Sequence, residues 1–556
     1  MSHHSNPLND VCLEHIYLTF ELLGQFNNLE ANSRALMLKN DAFSQTSSVY
    51  SAYLLRIVNM DSLYTSLQFS KPGFFRKNLL DQYLRLYNDL KKDEQILSLG
   101  RNGHIYKIFV EYAKIRFELI NIYGQLSKAN CNTYSTILDH VKILEWDNSQ
   151  SNFFPSLAIG ILKEISIIKN LLLAQLSLIS YNFKNSILYT YLAKNDLNQW
   201  INNLQSQIKH KYIMQQQDTQ TLETGKADLE IPNNQQWLKK FLSYTLAKIN
   251  VYFNVILSKK SSEILHQIDL KTDPDPLNMI KSFVSKNDNI LNISFIYSSL
   301  SKNTSIRPDG GYSCISTVPL TGIHSYPAIF SFPNDPPLNH WPNIISIIQS
   351  KQKHQQYSQT DSLNKDNITK YRKMGSTLEY CNSIDSINST YSSYSIGSTV
   401  TSTTNNNNTN NINSNNNSTL NNLNNGNPST NNNSSTQKIS DSASISSLSN
   451  AASYLIGSRR FSDKRKRSSK SISNGKDNSG MDKDTSQSLD ETSMVPFFFY
   501  DWKISISYYM IKVDPEVIIV LIYECQNKDP AIIDFLTKLV ACLRNVTLFE
   551  QLKVDW

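Results

Sequence analysis

The stretch KISISYYMIKVDPEVIIVLIYE, residues 503–524, changes its hydrophobic pattern half way along, and that change decides what the C-terminal part of the chain folds into. Ile504, Ile506, Tyr508 and Met510 alternate with Ser505, Ser507 and Tyr509, the period of two expected of a strand with one buried face. A turn at Val513 to Pro515 then leads into VIIVLIYE (517–524), a continuous apolar run of the kind found in central strands. Immediately after it, DPAIIDFLTKLVACLRN (529–545) has Asp529 placed as N-cap, Pro530 at the first helical position, and Ile533, Leu536, Val540 and Leu543 on one face.

Working back from this block, ILNISFIY (290–297), YPAIFSF (326–332) and NIISIIQ (343–349) read as further strands, because they are short, β-branched or aromatic, and bounded by Pro, Asn and Asp. TDPDPLNMIKSF (272–283) opens this region with a short helix capped by Asp275 and started by Pro276. Between the strand groups lies a tract rich in Asn, Ser and Thr, 351–494, whose composition cannot bury enough apolar surface to offset chain entropy, so it is expected to be a disordered insertion. Since each doubling of a loop costs only about 0.6 kcal/mol, the insertion is expected to sit between two neighbouring strands without destroying the sheet.

Residues 10–272 carry a different periodicity. Tyr50, Tyr53, Leu54, Ile57, Met60, Tyr64 and Leu67 recur at steps of three and four, as do Ile105 to Leu126 and Leu238 to Ile256, marking amphipathic helices of several turns. The segment 156–181 is apolar around most of its circumference, with Ser156, Gly160, Lys163 and Asn170 as a narrow polar strip, and so belongs in the middle of a helical array. Within it, the most apolar run, 170–183, is too short for the roughly 20 residues of a bilayer span and reads as buried helix. Residues 213–234 lack a period and read as an exposed connection. The fold class is therefore an N-terminal multi-helical array followed by a small antiparallel-sheet α+β domain, built from 273–350 and 495–556, with 1–9 as a tail.

The formal charge of +7 has a single source. Between Arg459 and Lys476 stand eight basic residues, among them Arg459, Arg460, Lys464, Arg465, Lys466 and Arg467, against Asp463 alone, so the rest of the chain sums to zero. The folded parts offer no net attraction to phosphate backbones, whereas the basic run is a candidate patch for a nuclear or nucleic-acid adaptor role. Six scattered cysteines without a C-x-x-C pair fit a reducing compartment, and MSHHSNPLNDVC (1–12) lacks the pattern of a secretory signal. With 16 glycines in 556 residues and no phosphate-loop or nucleophile-elbow motif, no cofactor site is implied. Cys314, His324 and His340 lack metal-ligand spacing, and neither Asp335 with Glu516 nor Asp501 with Asp514 is singled out as an acid/base pair.

The most idiosyncratic segment is HSYPAIFSFPNDPPLNHWPNIISII, 324–348. Its Tyr326, Pro327, Ala328, Ser331, Pro333, Asp335, Pro337, His340, Trp341, Pro342 and Asn343 fall on a Y-P-A-x-x-S-x-P-x-D-x-P-x-x-H-W-P-N pattern, in which the chain resembles the family of the small subunit of the KICSTOR complex. The segments 63–92, 112–123, 153–165, 287–297 and the C-terminal strands and helix resemble that family in the same order. The resemblance implies a non-catalytic scaffold subunit, with no catalytic residue and no cofactor. It also implies kaptin, an FG-GAP-repeat protein and a very large scaffold subunit as partners. That complex sits at the lysosomal surface, positions a GATOR-type GTPase-activating complex against Rag GTPases and restrains target-of-rapamycin signalling when nutrients are scarce. An analogy with the longin and roadblock modules of Rag regulators follows for the α+β domain. Tyr326 to Asn343 is either a packed strand-loop-strand or part of a partner surface with Trp341 as its anchor.

Overall fold

Stripes of apolar residues at helical spacing have to meet one another, and the N-terminal array is the result. The computed structural model describes residues 10–40, 45–67, 78–98, 103–144, 154–218, 231–259, 272–299, 304–316, 322–351, 489–490 and 492–553. The array comprises α1 (Asp10–Gly24), α2 (Asn28–Asn40), α3 (Gln45–Thr65), α4 (Leu79–Lys92), the single turn α5 (Glu94–Leu97), α6 (Gly103–Leu126), α7 (Tyr134–Ile143), α8 (Pro155–Ile179), α9 (Phe183–Asp218), α10 (Asn233–Tyr252) and the short α11 (Asn254–Lys259). Helix α4 shows the local logic: Asn78 accepts from Leu80 N at 3.0 Å, and Leu79, Tyr83, Leu86 and Leu90 fall on one buried face.

Helix α8 is central, as its composition requires, packing on α1, α7, α9 and α10. The narrow exposed strip is not the expected one. Ser156, Gly160 and Asn170 are buried, while Ile159 and Leu162 are exposed, because the small residues let neighbours approach: Gly160 faces the Trp200 indole of α9. Where α1 ends against α8, a Cβ on Gly24 would lie 2.2 Å from Leu157 N, so the crossing requires glycine. The apolar run 170–183 is broken by the α8–α9 turn, with Tyr181 at φ 52°, and α9 continues to Asp218, into the segment expected to be a connection.

The α+β part begins with α12 (Pro276–Val284), where Asp275 accepts from Asn278 N at 3.1 Å as its cap. Strands β1 (Ile290–Tyr297), β2 (Thr304–Arg307), β3 (Tyr312–Ile315) and β4 (Ala328–Phe332) follow, then helix α13 (341–351), then β5 (Phe497–Asp501), β6 (Ile506–Asp514) and β7 (Val517–Tyr523), and finally α14 (Pro530–Leu543) and the turn α15 (Val546–Phe549). The main sheet is antiparallel in the order β4-β1-β7-β6-β5, and β2 and β3 form a separate hairpin whose turn holds Gly311 at φ 71°. All described residues fall within one compact unit.

Strand β7 is central, as expected. Strand β6 is not half-buried, since every residue from Ile506 to Asp514 is buried. Ile293, Phe295, Tyr509, Ile511, Ile519 and Leu521 face α12 and α14, while Ile296, Tyr508, Met510, Ile518, Val520 and Ile522 face α13. The alternation in the sequence thus separates two covered faces rather than core from solvent. Ile504 lies outside the strand and is exposed, because the turn before β6 puts Ser505 at φ 58°.

Two expectations are overturned by this arrangement. NIISIIQ is helix, not strand: Ile344, Ile347 and Ile348 are buried at helical spacing beside Trp341 on the sheet, and β-branching is outweighed by that packing. The insertion does not join neighbouring strands either, because β4 and β5 are the two opposite edges and α13 crosses the sheet face between them. Strands β2, β3 and β5 had no clear signal in the sequence, being short and mixed in character. The low-complexity residues 352–488 lie outside the described residues, and the described chain resumes at Leu489, which is buried against the α13 face.

Residues 546–552 return to the helical array. Phe549 packs between Trp237 (ring centroids 6.3 Å apart), Phe241 (5.3 Å) and Tyr134 (6.3 Å), and Trp237 Nε1 donates to Leu548 O at 3.3 Å. We predict that Phe549→Ala lowers unfolding free energy by about 3–5 kcal/mol, measured by urea denaturation, and shifts the helical and sheet signals together. Separate transitions for the two parts would show that this contact does not couple them.

Candidate interaction surface

The signature segment is divided by the fold into a buried half and an exposed half. Tyr326 and Trp341 are fully buried, and Trp341 Nε1 donates to Tyr326 O at 3.0 Å, closing the loop that joins β4 to α13. Pro327 offers its carbonyl to Tyr297 N at 2.9 Å, extending the β1–β4 pairing. His340 is buried with Nδ1 2.9 Å from the Tyr508 hydroxyl, and burial lowers its pKa from the ordinary 6.5 against a smaller opposing pull from Glu524, so the ring is neutral. Asn343 Nδ2 donates to Asp501 Oδ2 at 3.0 Å, pinning α13 to the end of β5. Asp335 and Pro342 are exposed, as is Leu338 between them. The segment therefore brings His340, Trp341 and Asn343 onto the sheet and leaves Asp335 and Pro342 at the surface. The basic run Arg459 to Arg467 lies outside the described residues.

The interior holds a polar cluster that sequence reasoning missed. Asp61 of α3, Arg116 of α6 and Glu164 of α8 are each at most 5% exposed. Arg116 Nε lies 3.0 Å from Asp61 Oδ1 and its Nη1 lies 3.3 Å from Glu164 Oε2, while the guanidinium carbon sits 4.2 Å over the Tyr64 ring. Tyr64 and Tyr123 each donate to Glu164 Oε1 at 2.7 Å, and Tyr112 donates to Asp61 Oδ1. Burial opposes the charge on Arg116, but Asp61, the surrounding tyrosines and Glu164 override it and hold the pKa well above the ordinary value. Burial, reinforced by the neighbouring carboxylates, pushes Tyr64 and Tyr123 well above the ordinary phenol range, and Tyr112 rises chiefly through burial. The signal was available: in the apolar stripes of α3, α6 and α8, these are the charges that stand at core positions.

A second buried pair joins the array to the sheet. Lys248 of α10 lies 2.7 Å from Asp514 Oδ2 at the end of β6, and Tyr252 donates to the same oxygen at 2.6 Å. A cavity of about 240 Å³ opens beside it, lined among others by Cys131, Tyr134, Met494 and Arg544. Its cations are already engaged, Lys248 by Asp514 and Arg544 by the carbonyls of Ser493 (3.0 Å) and Lys512 (2.6 Å). Asp501 is likewise occupied by Asn343, so neither acid pair considered from the sequence is assembled with a free partner pointing into a cleft. Cys314 is exposed, bonded to Ser305 at 3.1 Å, and among the described residues no group of three His, Cys, Asp or Glu is placed to hold a metal ion. No helix among them is long and apolar enough to cross a membrane.

The class so defined is a helical-array α+β protein whose interior charges join helix to helix and helix to sheet. The chain belongs to the family described as "KICSTOR complex C12orf66 like", whose profile matches residues 13–365 and 478–555. It is similar to "KICSTOR subunit 2" of Xenopus laevis, 28% identical over 365 residues, covering 60% of this chain and 79% of that protein. It is also similar to "KICSTOR subunit 2" of Danio rerio, 22% identical over 350 residues, covering 56% and 74% respectively. The matched spans include the array and the sheet on both sides of the insertion.

Two predictions follow from the buried cluster. Arg116→Met leaves Asp61 and Glu164 buried without a counter-charge and is expected to cost about 3–5 kcal/mol, with Arg116→Lys retaining part of the loss; a change under 1 kcal/mol (about the value of an exposed pair) in chemical denaturation would refute the clamp. The raised tyrosine pKa values make a signed prediction for pH. Stability from keeping Tyr64, Tyr112 and Tyr123 neutral is fully present below the unfolded value of 10.0 and is lost as pH rises above it. Phenolate absorbance in an alkaline titration should therefore show a fraction of tyrosines that ionise only with loss of helical signal.

Proposed function

We propose that this chain is a non-catalytic subunit of a KICSTOR-like complex, a scaffold that helps position a GATOR-type GTPase-activating complex against Rag GTPases and so restrains target-of-rapamycin signalling on nutrient deprivation. The family match across both folded parts carries this reading. Two features of the structure support it: the strongest ionisable clusters are locked into the core, and the signature segment builds the sheet while leaving Asp335 and Pro342 outward. Partners in this reading are a kaptin-like protein, an FG-GAP-repeat protein and a very large scaffold subunit, through which the chain is held at the lysosomal membrane surface. Tyr326, Pro327, His340, Trp341 and Asn343 act by shaping the loop that displays Asp335 and Pro342.

Affinity purification of the tagged full chain from nutrient-starved cells tests the assignment. The large scaffold subunit and the FG-GAP-repeat protein are the expected co-purifying species, and their shared absence overturns it. Deleting 459–476 is expected to leave that recovery unchanged; loss of localisation with intact folded parts would favour the adaptor role of the basic run instead.

A further inference from the structure

The two edges of the main sheet are finished differently. The β4 edge is short, has Pro327 and Pro333 at its ends, and has α10 and α11 packed near it, the devices that stop an edge from pairing. β5 pairs with β6 on one side, and among the described residues no backbone partner is recorded on its other side. Its flank is apolar: Phe499, Trp502 and Ile504 are exposed, Trp502 by 74%. It is also cationic. Lys351 lies 4.3 Å over the Phe497 ring, Lys528 5.9 Å over Phe498 and Lys503 5.8 Å over Trp502, so ammonium groups stand around the strand. Among the described residues neither Lys503 nor Lys528 is held by a carboxylate, and both are exposed.

We propose that the open edge of β5 is a docking site for an extended, acidic segment of a partner polypeptide, added to the main sheet as a sixth strand next to β5. Backbone pairing along β5 supplies register, Phe499, Trp502 and Ile504 take apolar side chains at alternate positions, and Lys503 and Lys528 select for carboxylates. The charge balance names the occupant: a neutral or basic strand would leave the lysines unpaired beside it. This inference rests on the reading of the chain as a complex subunit and assigns that role to a particular surface.

The test uses the full chain in the complex recovered with it. A water-soluble carbodiimide, which joins a lysine amine directly to a carboxylate, is expected to link Lys503 or Lys528 to an Asp or Glu of another subunit. Amide exchange of 497–501 is expected to be slower in the complex than in the free chain. Lys503→Glu with Lys528→Glu should weaken association by about tenfold and leave the free chain's melting temperature unchanged, whereas Tyr500→Pro should abolish it through the backbone. Equal exchange of β5 in both states, together with wild-type association by the charge-reversed variant, overturns the docking site and leaves the subunit reading intact. Links only between β5 strands of two copies, seen with isotopically mixed chain, also overturn it. Recovery of no other subunit removes the subunit reading and this proposal together.

Discussion

A strand that is apolar on both faces needs cover on both, and in this protein the β6–β7 pair imposes that demand on everything around it. Val517 to Tyr523 is entirely buried, and so is Ile506 to Asp514. One face is covered by α13, which the chain reaches through the Trp341–Tyr326 closure, and the other by α12 and α14 with the end of α10 behind them. Because α10 belongs to the helical array, the sheet and the array cannot be completed separately. Lys248 and Tyr252 of α10 both reach Asp514, placing a buried charge pair where helix meets strand. Misplacing α10 would strand that charge, which is a larger penalty than any loss of apolar contact at the same point.

The same logic governs the array itself. Asp61, Arg116 and Glu164 sit on three helices that would otherwise present interchangeable apolar faces. Burying them gains little stability over apolar residues of similar volume, but wrong pairings leave a carboxylate unpaired in a medium of low dielectric. Specificity of helix arrangement is the physical gain. These groups are surrounded by phenols and closed off from solvent, which suits a protein whose work is done at its surface.

The position of the low-complexity tract takes its meaning from the topology. Its flanks, Lys351 and Leu489, lie beside β5, at the edge farthest from β4, so the tract leaves and re-enters on the side of the sheet where the aromatic and cationic surface stands. Family membership spans both folded parts and stops short of most of this tract, as the profile resumes at 478.

Local pattern was enough wherever a residue's environment depended on neighbours in sequence. The stripes of α3, α6 and α10, the caps at Asp275 and Asp529, and the runs of β1 and β7 could all be read directly, because helix period, capping chemistry and continuous β-branched stretches act over a few residues. The idiosyncratic 324–348 segment was likewise legible as a family signature, though not as geometry. Long-range packing decided the rest. Whether Ile344 to Ile348 became helix or strand depended on the sheet face beneath them, and whether Ser507 and Tyr509 met water or protein depended on a second covering layer. The pairing of Arg116 with acids 55 and 48 residues away, the placing of β4 and β5 at opposite edges, and the return of Phe549 to Trp237 are matters of three-dimensional approach, on which the order of residues along the chain carries no direct information.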